Sequence, residues 1–211
     1  MSLFAFVLLG AALVTAVIDW VAVVEQDSKL EYWCKPGVIV VLMAATVALD
    51  PESEAMRAWF LAALLFSLAG DVFLMLKDRD LFVAGLASFF IAHLAYIGGF
   101  LVGGVDLPRL VAGLAVAAGS VAFVGRRILH AARDKESELA LPVAAYMAVI
   151  SAMLVVAIGS GKTAALFGAV LFYASDAMIG WGRFVKATPW LPLAIIVTYH
   201  LGQVALVASL V

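Results

Sequence analysis

Cysteine, histidine and charge are all scarce in this sequence, and each scarcity removes a class of chemistry. The single cysteine, Cys34, allows no intramolecular disulfide and no thiolate pair for zinc or an iron–sulfur cluster. Of three histidines, His130 falls in a charged stretch, which leaves only His93 and His200 within apolar runs, too few for a three-histidine zinc centre. The glycines lack phosphate-loop spacing. No metal and no cofactor is expected. Charged residues fill 13% of the positions and the formal net charge is −2, so there is no basic stripe to hold nucleic acid.

What the sequence has instead is apolar length. Hydrophobic residues make up 66% of the chain, against about half in soluble domains, which makes this an integral membrane protein. A bilayer-crossing helix needs roughly 20 apolar residues, and eight runs qualify: 3–24, 33–49, 55–76, 81–102, 107–129, 139–158, 163–184 and 190–211. The first has no Lys or Arg before it and no small-residue cleavage pattern after it, so it reads as a retained span. Charged and turn-forming residues fill the breaks at 25–29, 50–54, 77–80, 106–108, 126–138, 159–162 and 186–189. None is long enough for a domain. Residues 1–211 therefore read as one all-α bundle of eight transmembrane helices.

Ten Lys and Arg residues, including Lys35, Lys77, Arg79, Arg126 and Arg183, flank odd-numbered loops, while three, Arg57, Arg109 and Lys162, flank even-numbered ones. The positive-inside rule then places the odd loops in the cytoplasm and both termini opposite. The expected location is the inner membrane of a bacterial cell. The spacing also suggests two parallel four-helix repeats: Asp71 on helix 3 precedes His93 on helix 4 by 22 residues, and Asp176 on helix 7 precedes His200 on helix 8 by 24.

The two aspartates are the residues that demand explanation, because a carboxylate in hydrocarbon is costly and usually marks a site. Asp71 precedes Lys77 by six residues and Asp176 precedes Arg183 by seven, which puts both roughly 9–11 Å below the same membrane face. Ser67 lies four residues before Asp71, and Tyr173 three before Asp176, so each aspartate has a polar companion on its own helix face. Two carboxyl groups facing one cavity tend to divide into an acid and a carboxylate. Simple hydrogen-bonded glue between helices is the plain alternative.

Helix 4 offers His93 with Tyr96 one turn on, and helix 8 offers Tyr199 and Gln203 as an i,i+4 pair with His200 beside them. Lys35-Pro36 is expected to open helix 2, proline fitting a first helical turn, with the lysine at the interface binding a lipid phosphate or snorkelling. Asp19 is expected at the headgroups. Chains of intramembrane Asp and His also serve proton-coupled carriers, but no helix is broken by Gly or Pro at matching midplane positions of the two halves. A non-catalytic lipid-binding protein stays open on residues alone.

Taken together, Lys35-Pro36, Gly70-Asp71 with Leu74, Phe89-Phe90-x-x-His93-x-x-Tyr96, Ser175-Asp176 and Tyr199-x-x-x-Gln203 resemble the YhhN-like lysoplasmalogenases, in order and from about Cys34 to Gln203. The resemblance implies hydrolysis of the vinyl ether bond of a lysoplasmalogen, with a lysophospholipid and water as the partners. The products would be a fatty aldehyde and a glycerophospho-ethanolamine or glycerophospho-choline. Vinyl ethers hydrolyse by protonation of the outer alkene carbon and capture of the oxocarbenium ion by water, which calls for an acid, nearby negative charge and a base. On this expectation one of Asp71 and Asp176 is the acid and the other stabilises the cation and deprotonates water. His93 joins them in catalysis, Tyr96 and Tyr199 hold water or protons, Lys35 meets the phosphate, and Ser67, Tyr173 and Gln203 complete the substrate site.

Overall fold

The computed structural model describes residues 2–76 and 81–211. Eight helices are long and apolar enough to cross a membrane: α1 Leu3–Glu25, α2 Ser28–Ala48, α3 Glu54–Met75, α4 Phe82–Gly103, α5 Leu107–Lys135, α6 Ser137–Gly159, α7 Thr163–Val185 and α8 Leu191–Ala208. Polar residues start several of them by satisfying backbone N–H groups that a first turn leaves unpaired. Ser2 accepts from Ala5, Asp27 from Lys29 and Leu30, Ser53 from Met56, and Asp106 from Arg109.

Two helix boundaries differ from the sequence reading. With Asp27 as its cap, α2 begins at Ser28, so Lys35 and Pro36 do not open it; Pro36 lies inside the helix, two turns in. The charged stretch 126–138 is not a loop. A π-helical turn, Val121–Gly125, carries α5 onward into Arg126–Lys135, with Ile128 and Ala132 buried on one face and the charges outside. His130 is thus helical. A second π turn, Trp181–Val185, ends α7. The third break, 77–80, lies outside the described residues, as do Lys77 and Arg79.

The helices run alternately up and down, and contacts between chain ends show which ends share a face. On the even-loop face, Ser2 Oγ donates to the Ala48 carbonyl, Glu52 N–H to Leu210 O at 3.0 Å, Asp106 N–H to Gly159 O at 2.9 Å, and Lys162 Nζ to Ser209 O at 2.8 Å. On the other face, the Tyr32 hydroxyl donates to Met75 O and Arg183 pairs with Glu136. Neighbouring helices close a ring in the order α1, α2, α3, α4, α6, α7, α8 and back to α1, with α5 outside it against α6. The pairings α1 with α2, α3 with α4, and α2 with α8 correspond to α5 with α6, α7 with α8, and α6 with α4, the pattern of two parallel four-helix units. The match is incomplete, since α1 packs on α8 but α5 makes no comparable contact with α4.

The α7–α8 crossing depends on glycine. A methyl group on Gly168 would sit 2.7 Å from the Leu206 nitrogen and 2.9 Å from the Gly202 oxygen, both backbone atoms that cannot swing aside. Small residues permit this backbone approach in the absence of a hydrophobic force between membrane helices. Gly168→Ala is therefore expected to destabilise the detergent-solubilised protein by about 1–3 kcal/mol, read from its thermal midpoint. Gly119→Ala, where an added methyl meets nothing within 4 Å, is the control, and equal midpoints for the two variants would remove the crossing from the account.

Candidate active site

The polar residues inside the bundle form two clusters, one around each aspartate. Asp71, only 2% exposed, has its Oδ1 3.7 Å from Lys35 Nζ. Its Oδ2 accepts from the Tyr199 hydroxyl at 2.7 Å. The line continues through buried groups: Gln203 Nε2 donates to the Tyr199 oxygen at 3.3 Å, and the Tyr96 hydroxyl donates to Gln203 Oε1 at 2.5 Å. Four helices, α2, α3, α4 and α8, are tied by this chain, so burying its polar atoms is offset by the ion pair at Lys35 and by a hydrogen bond at each later step.

Asp176 has a different setting. Its Oδ2 accepts a short hydrogen bond from the Tyr146 hydroxyl and lies 3.3 Å from His93 Nε2, which is itself 3.2 Å from the Tyr146 oxygen. Both contacts fall on Oδ2, so Oδ1 has no hydrogen-bond partner among the described residues. Asp176 also lines an apolar cavity of about 720 Å³, its open mouth included, walled by Leu74, Phe89, Ile128 and Tyr173 among others, with Tyr146. Asp71 does not line it.

Phe172 stands between the clusters, its ring centroid 4.8 Å from that of His93 and 5.3 Å from that of Tyr199, and Phe89 packs on both Phe172 and Tyr199. The two aspartates thus do not share one polar cavity, contrary to the sequence expectation. Their partners nonetheless correspond. Asp71 is met by α2 of its own half and α8 of the other; Asp176 is met by α6 of its own half and α4 of the other.

The structure brings Lys35, Tyr96, Tyr199 and Gln203 to Asp71, and His93 to Asp176, while Tyr173 lies on the cavity wall beside Asp176. Other expectations change. Lys35 does not extend freely into the surroundings: its side chain is 16% exposed, with Nζ 3.7 Å from Asp71 Oδ1. Ser67 is buried one turn from Asp71, but its hydroxyl makes no hydrogen bond among the described residues. Asp19 is not at the headgroups: α1 packs on α2 and α8, its side chain is fully buried, and neither oxygen has a hydrogen-bond partner among the described residues. His200 accepts from Trp20 Nε1 at 3.1 Å through Nδ1 and so pins α8 to α1.

Sequence reasoning passed over Tyr146. The signal available was that Tyr146 is the one tyrosine of the sixth apolar run, and a buried phenol needs a partner. Among the described residues no group of three or more His, Cys, Asp or Glu side chains is placed to hold a metal ion.

Fold and clusters together define a multi-pass integral membrane protein with the aspartates Asp71 and Asp176 inside its spanning helices, the second of them lining an apolar cavity. The chain belongs to the YhhN/lysoplasmalogenase family: the YhhN family model matches residues 30–210. It is 32% identical over 193 residues to a lysoplasmalogenase, TMEM86B, of Mus musculus, covering 90% of this chain and 79% of that protein. It is 34% identical over 183 residues to a lysoplasmalogenase of Mycobacterium bovis, covering 83% of this chain and 68% of that one. No solved structure matches the chain.

Proposed function

We propose that this protein hydrolyses the vinyl ether bond of lysoplasmalogens, releasing a fatty aldehyde and a glycerophospho-ethanolamine or glycerophospho-choline, with Asp176 as the proton donor. The observation that carries the reading is the placement of Asp176: it lines an apolar cavity, with a hydroxyl and an imidazole on Oδ2 and no hydrogen bond to Oδ1 among the described residues. Family membership supports the reaction class.

In this mechanism the alkenyl chain lies in the cavity against Tyr173 and the Asp176 carboxyl protonates the outer alkene carbon. The π electrons form the new C–H bond and the ether oxygen shares the resulting positive charge. The Asp176 carboxylate, now facing an oxocarbenium ion, stabilises it electrostatically. Water adds to the carbon attached to oxygen and gives its proton back to Asp176, and the hemiacetal separates into aldehyde and alcohol. Tyr146 and His93 hold the carboxyl and move its proton. Asp71, with Lys35 and Tyr199, acts behind the aromatic wall as a positioning residue, as do Tyr96 and Gln203, while Ser67 packs beside it. The face bearing the odd-numbered loops is cytoplasmic in this reading.

The test compares purified protein on an alkenyl lysophospholipid and on its saturated alkyl-ether analogue. Aldehyde from the first and none from the second is expected, since only the vinyl ether has an alkene carbon to protonate; a folded sample that releases none from either contradicts the proposal.

A further inference from the structure

The reaction uses the bonds at the glycerol oxygen, but a lysophospholipid also carries a charged headgroup, and Lys35 is engaged elsewhere. A second hollow, of about 800 Å³ with its open mouth, lies on the odd-loop face and is lined by Phe82, Lys135, Glu136, Glu138 and Arg183. Phe82 is a wall of this hollow and of the cavity that holds Asp176. Arg183 grips Glu136 with two nitrogens, Nη2 to Oε2 at 2.8 Å and Nε to Oε1 at 3.3 Å, and its guanidinium lies 4.0 Å from the Phe82 ring centroid.

Reach and charge both fit a headgroup. Seven residues separate Asp176 from Arg183 along α7, roughly 10 Å of helix. The seven bonds from phosphorus to the outer alkene carbon of a lysoplasmalogen extend about 8–9 Å, by the span of a chain with similar bonds. Among the described residues the hollow offers two cations, Lys135 and Arg183, and two carboxylates, Glu136 and Glu138. A guanidinium suits phosphate oxygens, and a carboxylate suits an ammonium. A headgroup with one negative and one positive charge finds partners for both, whereas a headgroup with phosphate alone meets Lys135 and Arg183 but brings no cation to Glu136 and Glu138.

We infer that Arg183, Lys135, Glu136 and Glu138 form the headgroup site, taking a zwitterionic phospho-ammonium group in preference to an anionic one. The inference rests on the lipid reading above and deepens it. Phosphate lies on Arg183 and Lys135, the ammonium on Glu136 and Glu138, and the scissile bond then reaches Asp176.

The test measures binding of saturated alkyl-ether lysolipids to the whole detergent-solubilised protein, so that turnover plays no part. The headgroups are phosphoethanolamine, phosphocholine and phosphoglycerol. Wild type is expected to bind the first two about tenfold or more tightly than the third, the size of a charge-assisted hydrogen bond. Arg183→Gln weakens all three. Glu136→Gln with Glu138→Gln removes the preference. Because the Arg183–Glu136 pair also ties α7 to the end of α5, the exchange Arg183→Glu with Glu136→Arg is included; it should keep the thermal midpoint near wild type yet fail to restore binding. Glycerophosphocholine as a soluble competitor should displace the lipid only weakly. Displacement as strong as by the lysolipid would assign the hollow to free phosphocompounds and overturn the lipid site. Equal affinity of wild type for all headgroups, or full binding by the exchanged pair, overturns it as well. Selective binding without aldehyde release would remove the proposed reaction and leave the headgroup site standing.

Discussion

Asp176→Asn is expected to abolish most aldehyde release while leaving the protein folded and able to bind a saturated alkyl-ether lysolipid. Asparagine keeps the shape and accepts the Tyr146 hydroxyl bond, so the cluster that now holds Asp176 Oδ2 keeps a partner. It has no acidic proton to give to carbon. General acid–base catalysis by one placed side chain supplies about 10²–10⁴-fold. Since Asp176 acts as acid in the first step and base in the second, the loss should lie at the upper end of that range. The expected change is in kcat, with binding of the alkyl-ether analogue unchanged, as for a group whose main work is in the transition state. Near-normal turnover in this variant would take Asp176 out of the mechanism.

The second large effect is on stability and concerns Lys35. Asp71 is 2% exposed and the Lys35 ammonium is its cationic neighbour. Removing one partner of a buried ion pair leaves an uncompensated charge and costs about 3–5 kcal/mol, whereas replacing both by neutral groups of similar size costs little or can stabilise. Lys35→Met should therefore lower stability by that order in denaturant unfolding of the detergent-solubilised protein. Lys35→Met combined with Asp71→Asn should recover most of the loss, because the new amide oxygen would still accept from the Tyr199 hydroxyl that now donates to Asp71. A single variant no less stable than the double would mean that Lys35 is not the counter-ion of Asp71.

Much of the fold was legible because a membrane simplifies the grammar. Length and hydropathy place eight spans, and both aspartates stand out against them at first reading. Hydropathy reports a preference for lipid, however, and not helicity as such. Residues 126–135 are too charged for the bilayer, yet they extend α5, because Ile128 and Ala132 at i,i+4 give the extension a face to bury. The start of α2 shifted for a related reason: Asp27 can cap the helix wherever it falls, however polar the first turn.

The site was legible by type and not by partnership. Order along the chain sets Asp71 near His93 and Asp176 near His200, but the helices close so that His93 meets Asp176 and Tyr199 meets Asp71. Periodicity tells which residues share a helix face; it does not tell which helix lies opposite. Tyr146 escaped notice for that reason, and Asp19 was misplaced because its distance from the helix end did not reveal that α2 and α8 cover it.

The central step of the account is capture of the oxocarbenium ion by water on the alkenyl side of the ether oxygen. Turnover of an alkenyl lysophospholipid in H₂¹⁸O, followed by the mass of the glycerophospho product, tests it most directly, because that alcohol oxygen does not exchange with solvent. The account predicts an unlabelled product, its hydroxyl oxygen being the original ether oxygen. A product carrying ¹⁸O would show that water attacks the glycerol carbon instead, and would contradict capture of the cation on the alkenyl side.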